Sequence, residues 1–280
     1  MGDGLKKRRF VEIFFFGFAG LYLFYGLWAG SLLDSDDVIY ADIARTMWET
    51  GSFLEIRWHD AILFEKPPVL FWVLSVFGGF FGFNDFALRM PGALAALGTL
   101  VILSSFAGSL GLKKRYLLLP AAFLLSAYTF VFHARRVLAD PLFVLAMYAF
   151  VLLWVQGCLS EGQGRSRESL RQGVLAGICL GICVMIKWAF VLLPLVWVGS
   201  WHLLDRRPVF RRPLLWMLLS AAFLVVPWHL YQSQEHGMRF WDVYAGYHVL
   251  ERATRSLVSP TGPTFYLDLV LETDPGFFAV

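Results

Sequence analysis

Charge is scarce in this chain. Lys, Arg, Asp and Glu supply only 16% of the 280 residues, where a soluble domain usually carries about a quarter. Cysteine is scarcer still. Cys158, Cys179 and Cys183 lie in or at the ends of apolar runs, the last two one helical turn apart, which points to packing and away from a disulfide framework or a zinc site. G-x-S-x-G, the P-loop, G-x-G-x-x-G and H-E-x-x-H are all missing, which removes the common hydrolase, phosphate-loop, dinucleotide and zinc-protease arrangements. There is no internal repeat, so residues 1–280 read as one domain.

What the chain does have is apolar length. Apolar residues make up 58% and aromatics 17%, with a mean hydropathy of +0.61. A helix needs about 17–25 apolar residues to cross roughly 30 Å of hydrocarbon, and a chain with this pattern crosses only as helices that pair their own backbone groups. The expected fold is therefore an all-α, polytopic bundle of about seven to eight spans. They fall at approximately 10–32, 90–110, 116–133, 141–158, 173–187, 188–204 and 214–231, with an eighth beginning near Phe265.

The first run follows Lys6, Lys7, Arg8 and Arg9 and shows no A-x-A cleavage pattern, so it reads as a retained anchor with a cytoplasmic amino end. Counting spans from there puts Lys113–Arg115, Arg165, Arg167, Arg171 and Arg206–Arg212 on the inner side, as the positive-inside rule expects. The count works only if residues 69–84 do not cross. That segment carries Gly78, Gly79 and Gly82 and as a helix would be roughly 24 Å long, so it is expected to lie on the outer face. Residues 33–89 then form a first outer loop with juxtamembrane helices.

The polar clusters fall on that outer side. Asp36 and Asp37 follow Ser35, a pattern that also suits a helix N-cap with acids in the first turn. Glu65 and Lys66 precede Pro67-Pro68, which hold them in one extended geometry or simply start a helix. Arg135 and Arg136 suit a phosphate or lipid headgroups. Asp140 next to Pro141 suits a cap, a partner for those arginines, or a site carboxylate. Lys187, between two apolar runs, either snorkels or holds a phosphate. His248, Glu251 and Arg252 share one face of a helix expected over about 238–257, with Trp241 and Tyr244. Gly173, Gly177 and Gly181 make a doubled G-x-x-x-G face that predicts close helix contact.

In order, D-D-x-x-Y-A-x-I-A-R-x-M at 36–47, F-E-K-P-P at 64–68, A-x-R-M-P at 87–91, A-R-R-x-x-x-D at 134–140, Lys187, P-W at 227–228 and H-x-x-x-R at 248–252 resemble the polyprenyl-phosphate-sugar-dependent glycosyltransferases of the GT-C superfamily. Within it, the chain is similar to the branch of aminoarabinose lipid A transferases and dolichyl-phosphate-mannose protein mannosyltransferase-like enzymes. The resemblance implies a GT-C-like membrane module that lacks the family's carboxy-terminal part, and an inner-membrane enzyme with its site on the outer, periplasmic face. It also implies a polyprenyl-phosphate-linked sugar donor and a lipid, glycan or protein acceptor, among membrane lipids and without nucleic acid. Carried over residue by residue, it maps the family's acids onto Asp36, Asp37 and Asp140 and its Glu-Lys pair onto Glu65 and Lys66; the chemistry of such a transfer then gives the three Asp residues to catalysis and Lys66, Arg135, Arg136 and Lys187 to the donor phosphate. Glu65 and His248 become the ligands of a divalent metal ion, the one cofactor implied. The competing classes are an anionic-lipid transporter or scramblase and a shortened, non-catalytic membrane scaffold.

Overall fold

Long apolar runs close their own backbone hydrogen bonds as helices, and the computed structural model shows this for nearly every run. It describes residues 2–30, 32, 35–59, 61–109, 111–204 and 211–251. The helices are α1 (Gly2–Phe24), α2 (Ser35–Thr50), α3 (Val69–Phe81), α4 (Asp85–Ser109), α5 (Leu119–Ser126), α6 (Tyr128–Ala134), α7 (Asp140–Gly162), α8 (Ser166–Lys187), α9 (Leu192–Leu204), α10 (Arg211–His236) and α11 (Met238–Trp241). Between α2 and α3 a small hairpin pairs β1 (Arg57–Trp58) with β2 (Ala61–Ile62), Arg57 opposite Ile62 and Trp58 opposite Ala61. Among the described residues, four helical stretches are long and apolar enough to cross a membrane, or five if α5 and α6 with the turn before them count as one broken span.

The contacts set the directions of these segments. Residues 163–165 turn α7 back into α8, so Lys187 at the end of α8 reaches Asp140 at the start of α7, 2.8 Å away. Residues 166–204 are helical almost throughout, yet they do not form one rod. Trp154 Nε1 donates to His202 Nε2 across 3.0 Å, and a straight continuation past Lys187 would carry His202 away from Trp154. The reversal falls at Lys187, whose φ of −148° and ψ of 79° leave the helical region, and at the short 3-10 turn Trp188–Val191 that follows. The separate segments expected at 173–187 and 188–204 are therefore both present, running in opposite directions.

Two other expectations need correction. The first apolar segment was expected to remain helical to residue 32, but α1 stops at Phe24 and a turn follows, with Gly26 and Gly30 at φ of +75° and +79°. That turn is tied down from outside: Arg89 Nη1 donates to the carbonyls of Leu27 and Ala29, and Arg135 Nη2 to that of Tyr25. The segment at 116–133 is not one straight helix either. It breaks at Ala127, and its two halves are bent by 74°.

The basic loops at 113–115, 165–171 and 211–212 collect at one end of the bundle. Gln156 Nε2 donates to Ser109 Oγ, which puts the end of α4, and Lys113–Arg115 after it, beside the end of α7. Arg165, Arg167 and Arg171 lie in the turn and first residues after α7. Pro213, just after Arg211 and Arg212, approaches Gly173 closely. The opposite end carries α2, the hairpin and α3. With 13 residues, α3 is about 20 Å long, too short to cross. It buries Leu70, Phe71, Leu74 and Ser75 against α2 and the bundle, and Ser75 Oγ donates to the Ala44 carbonyl at 2.7 Å.

The doubled glycine motif packs as its spacing predicts. A Cβ on Gly177 would overlap the Met217 carbonyl, and one on Gly173 would come within 2.8 Å of that of Pro213, so the backbones of α8 and α10 touch where a side chain would hold them apart. The apolar interior divides into three clusters. One, around Phe71, Val137, Phe143, Ile186 and Trp228, lies under the polar end. A second joins α1 to α4, α5 and α6, and a third joins α7 to α8, α9 and α10.

Candidate active site

Four separate stretches of sequence meet at the polar end around a cavity of about 310 Å³. From α2 come Asp36 and Tyr40, which share a helix face at i and i+4; the Tyr40 hydroxyl donates to Asp36 Oδ2 at 3.1 Å. From the segment before α3 come Glu65 and Lys66, on chain stiffened by the two prolines that follow. The start of α7 brings Asp140, and the reversal between α8 and α9 brings Lys187, Trp188 and Phe190.

Charges of both signs therefore line one space. Lys187 Nζ donates to Asp140 Oδ1 with both side chains partly exposed, and the same ammonium stands 5.2 Å from the centre of the Phe190 ring. Lys66 Nζ lies over the Tyr40 ring, 4.2 Å from its centre, a position the ring quadrupole favours. Tyr40 is 5% exposed and so joins the two charged partners: its hydroxyl holds Asp36 and its face holds Lys66.

Of the residues singled out from sequence, Asp36, Glu65, Lys66, Asp140 and Lys187 line this cavity. Asp37 and the two arginines stand elsewhere. Asp37 is 3% exposed, and its Oδ2 accepts from Arg136 Nε at 3.1 Å, so these two form a buried pair across 99 positions of sequence. Arg135 is directed to the Tyr25 carbonyl at 2.6 Å. Gly92 makes this loop's approach feasible, because a Cβ there would come within 2.7 Å of the Ala134 carbonyl.

The side chain of His248 lies outside the described residues. Its backbone belongs to a π-helix, Asp242–Glu251, which replaces the expected continuation of an α-helix beyond Trp241. Glu65 is thus the one described member of the expected metal pair. Among the described residues no group of three or more His, Cys, Asp or Glu side chains could hold a metal ion, so no step here is routed through one.

Sequence reasoning named Tyr244 but passed over most of the aromatic backing of the site. Trp188 stacks on Tyr244, ring centres 5.3 Å apart, and Tyr244 packs on Phe240 and Trp228. His229 Nδ1 meets the Val225 carbonyl at 2.8 Å. A carbonyl only accepts, so that nitrogen carries the proton, and Nε2 accepts from the Tyr244 hydroxyl at 3.0 Å. Burial pushes the Tyr244 phenol above its ordinary range, which keeps it a donor. Trp228 Nε1 and Gln232 Nε2 both donate to the Leu54 carbonyl, strapping the first outer loop to α10. The sequence signals for this were the P-W pair at 227–228 and Tyr244 on the helix face expected to carry His248.

The profile of the dolichyl-phosphate-mannose-protein mannosyltransferase family matches residues 26–244. The undecaprenyl phosphate-alpha-4-amino-4-deoxy-L-arabinose arabinosyl transferase of Erwinia tasmaniensis is 26% identical over 268 residues, covering 94% of this chain and 47% of its own length. The protein of the same name from an Enterobacter species is 23% identical over 270 residues, again 94% of this chain and 47% of the relative. The chain thus spans about half the length of the curated relatives it matches. The crystal structure of ArnT from Cupriavidus metallidurans bound to undecaprenyl phosphate superposes with a TM-score of 0.79 at 22% identity, over 95% of this chain and 49% of the other. Its apo form gives a TM-score of 0.75 at 20% identity with the same coverage. The fold is accordingly that of a GT-C membrane glycosyltransferase module. With more than half its length matched by the family profile, this chain belongs to the dolichyl-phosphate-mannose-protein mannosyltransferase family.

Proposed function

We propose that the protein transfers a sugar from a polyprenyl-phosphate donor to an acceptor. The observation that carries this is the single cavity in which Lys66 and Lys187 stand among Asp36, Glu65 and Asp140. Two ammonium groups suit the phosphate of the donor, and a carboxylate suits the proton of the incoming nucleophile. The acceptor oxygen bonds to the anomeric carbon as the bond from that carbon to the phosphate oxygen breaks. The bonding pair leaves on the phosphate, where Lys66 and Lys187 stabilise the charge, and the acceptor proton passes to Asp36. The names of the relatives carry an undecaprenyl-phosphate-linked aminopentose, and the same class of donor is proposed here.

The site is assigned to the outer face of the inner membrane, with the amino terminus in the cytoplasm. The support is electrostatic: the basic loops at 113–115, 165–171 and 211–212 gather at the end of the bundle opposite the cavity, and short loops rich in Lys and Arg remain on the cytoplasmic side. Incubating purified protein with a radiolabelled undecaprenyl-phosphate sugar tests the function. Label appearing in a glycolipid, glycan or protein product, or released by hydrolysis, supports it; label moved across the bilayer with the phosphate bond intact overturns it in favour of a transporter.

A further inference from the structure

Three aromatic rings line the cavity, those of Tyr40, Trp188 and Phe190, and two of them carry a cation. Lys66 Nζ stands 4.2 Å from the centre of the Tyr40 ring and Lys187 Nζ 5.2 Å from that of Phe190. Among the described residues no ammonium or guanidinium sits on Trp188. Nothing assigned so far to phosphate binding or catalysis uses that indole. We infer that Trp188 is the surface on which the donor's sugar ring packs, and that Tyr244, held by His229, positions it; this rests on the glycosyl-transfer reading above.

The packing behind Trp188 covers one face of the ring and leaves the other for a ligand. Tyr244 stacks on the covered face, with ring centres 5.3 Å apart and planes 23° from parallel. Tyr244 is 2% exposed and does not line the cavity, so the half-buried indole stands between it and the open space. Behind Tyr244 the buried Phe240 ring continues the stack at 4.8 Å, again at 23°. The Tyr244 ring is also pinned at its polar end, because its hydroxyl donates to His229 Nε2 at 3.0 Å and His229 Nδ1 is engaged by the Val225 carbonyl. Three stacked rings and one hydrogen bond therefore fix the plane of Trp188 before a ligand arrives, and a preorganised surface loses little freedom on binding.

The chemistry of the indole suits a sugar and not a phosphate. An aromatic face is the negative part of the ring's quadrupole. The C–H groups along one side of a sugar ring are weakly positive, so the two surfaces pack while the hydroxyls keep their hydrogen bonds at the sugar's edge. Position agrees with this. Lys187 and Trp188 are consecutive, their Cα atoms about 3.8 Å apart, and both side chains line the same space. In a sugar phosphate a single oxygen joins phosphorus to the anomeric carbon, so a phosphate held by Lys187 brings the sugar ring beside the indole.

Two ligands that differ only in the sugar test this without requiring turnover. Isothermal titration of the full chain in nanodiscs, with no acceptor present, compares undecaprenyl phosphate with undecaprenyl phosphate carrying an aminopentose. Wild type should bind the sugar-bearing ligand about tenfold more tightly, the order of one stacked ring. Trp188→Ala should lose that preference and keep its affinity for undecaprenyl phosphate, which also shows that the variant is folded, and Trp188→Tyr should restore most of the preference. Tyr244→Phe keeps the stack and removes only the bond to His229; it should reduce the preference about threefold and leave undecaprenyl phosphate binding unchanged. A preference retained by Trp188→Ala overturns the inference, and one unaltered in Tyr244→Phe overturns the positioning role of the hydrogen bond. If wild type binds both ligands equally, the donor cavity stands and this inference alone falls. If wild type binds neither, the glycosyl-transfer reading falls and takes this inference with it.

Discussion

Lys187 donates to Asp140 across 2.8 Å, joining the last residue of α8 to the first residue of α7 inside the cavity. The pair is partly exposed, so an incoming phosphate competes with the carboxylate for the ammonium. Lys187→Met should weaken undecaprenyl phosphate binding roughly ten- to a hundredfold, the range of a charged hydrogen bond. Isothermal titration on detergent-solubilised protein measures it, and unchanged affinity removes Lys187 from phosphate binding.

Asp36 and Asp37 are neighbours with different work. Asp37 is buried against Arg136, so Asp37→Ala breaks a buried ion pair and should cost about 3–5 kcal/mol of stability, read as a lowered unfolding midpoint. Asp36 is exposed to the cavity. Asp36→Asn should leave that midpoint in place and abolish sugar transfer, and wild-type turnover in this variant would exclude Asp36 as the proton acceptor.

The contact between α8 and α10 depends on Gly177. A leucine there must displace the Met217 backbone, and overpacking of this kind costs about 1–3 kcal/mol or more. Gly177→Leu should therefore unfold at lower denaturant than wild type, whereas Gly199→Leu, at a glycine with open space around its Cβ position, should not.

Tyr244 gives the fold a defined alkaline dependence. Burial raises its ionisation above the unfolded value of about 10. The neutral phenol's contribution is fully present below that value and is lost as pH rises from there through the folded one. Between about pH 9 and pH 11 the wild-type thermal midpoint should fall more steeply than that of Tyr244→Phe. Parallel curves would show that the phenol stays neutral in both states or ionises alike in both.

The two ends of the bundle should label from opposite sides of the membrane. Thr50 and Gln163 are both exposed, the first at the end of α2 and the second in the turn between α7 and α8. In spheroplasts, an impermeant maleimide should modify Thr50→Cys and spare Gln163→Cys until the membrane is opened. The reverse pattern would invert the assigned topology.

Much of the cavity's lining was legible in advance because its residues sit beside features that one-dimensional sequence displays. Glu65 and Lys66 precede a double proline, Asp140 opens an apolar run, and Lys187 interrupts one. The structure turns Arg135 and Arg136, expected at the phosphate, toward protein partners instead, for an equally physical reason. A guanidinium suits a backbone carbonyl or a buried carboxylate as well as it suits a phosphate, and no local pattern says which will be within reach. Arg135 met Tyr25, and Arg136 met Asp37, partners about a hundred positions away.

By itself the sequence determined that this chain is a helical membrane protein, where most of its crossing segments fall, and that its candidate site residues gather in the polar stretches between them. Those facts follow from hydropathy, backbone hydrogen bonding and glycine spacing, all local properties. Only the tertiary structure decided that α1 ends early, that the segment at 116–133 is bent, and that Asp36 opens into a cavity while Asp37 is sealed beside it. Such outcomes depend on which distant carbonyl, carboxylate or ring the packing of helices brings within a few ångströms, and local sequence does not encode that distance.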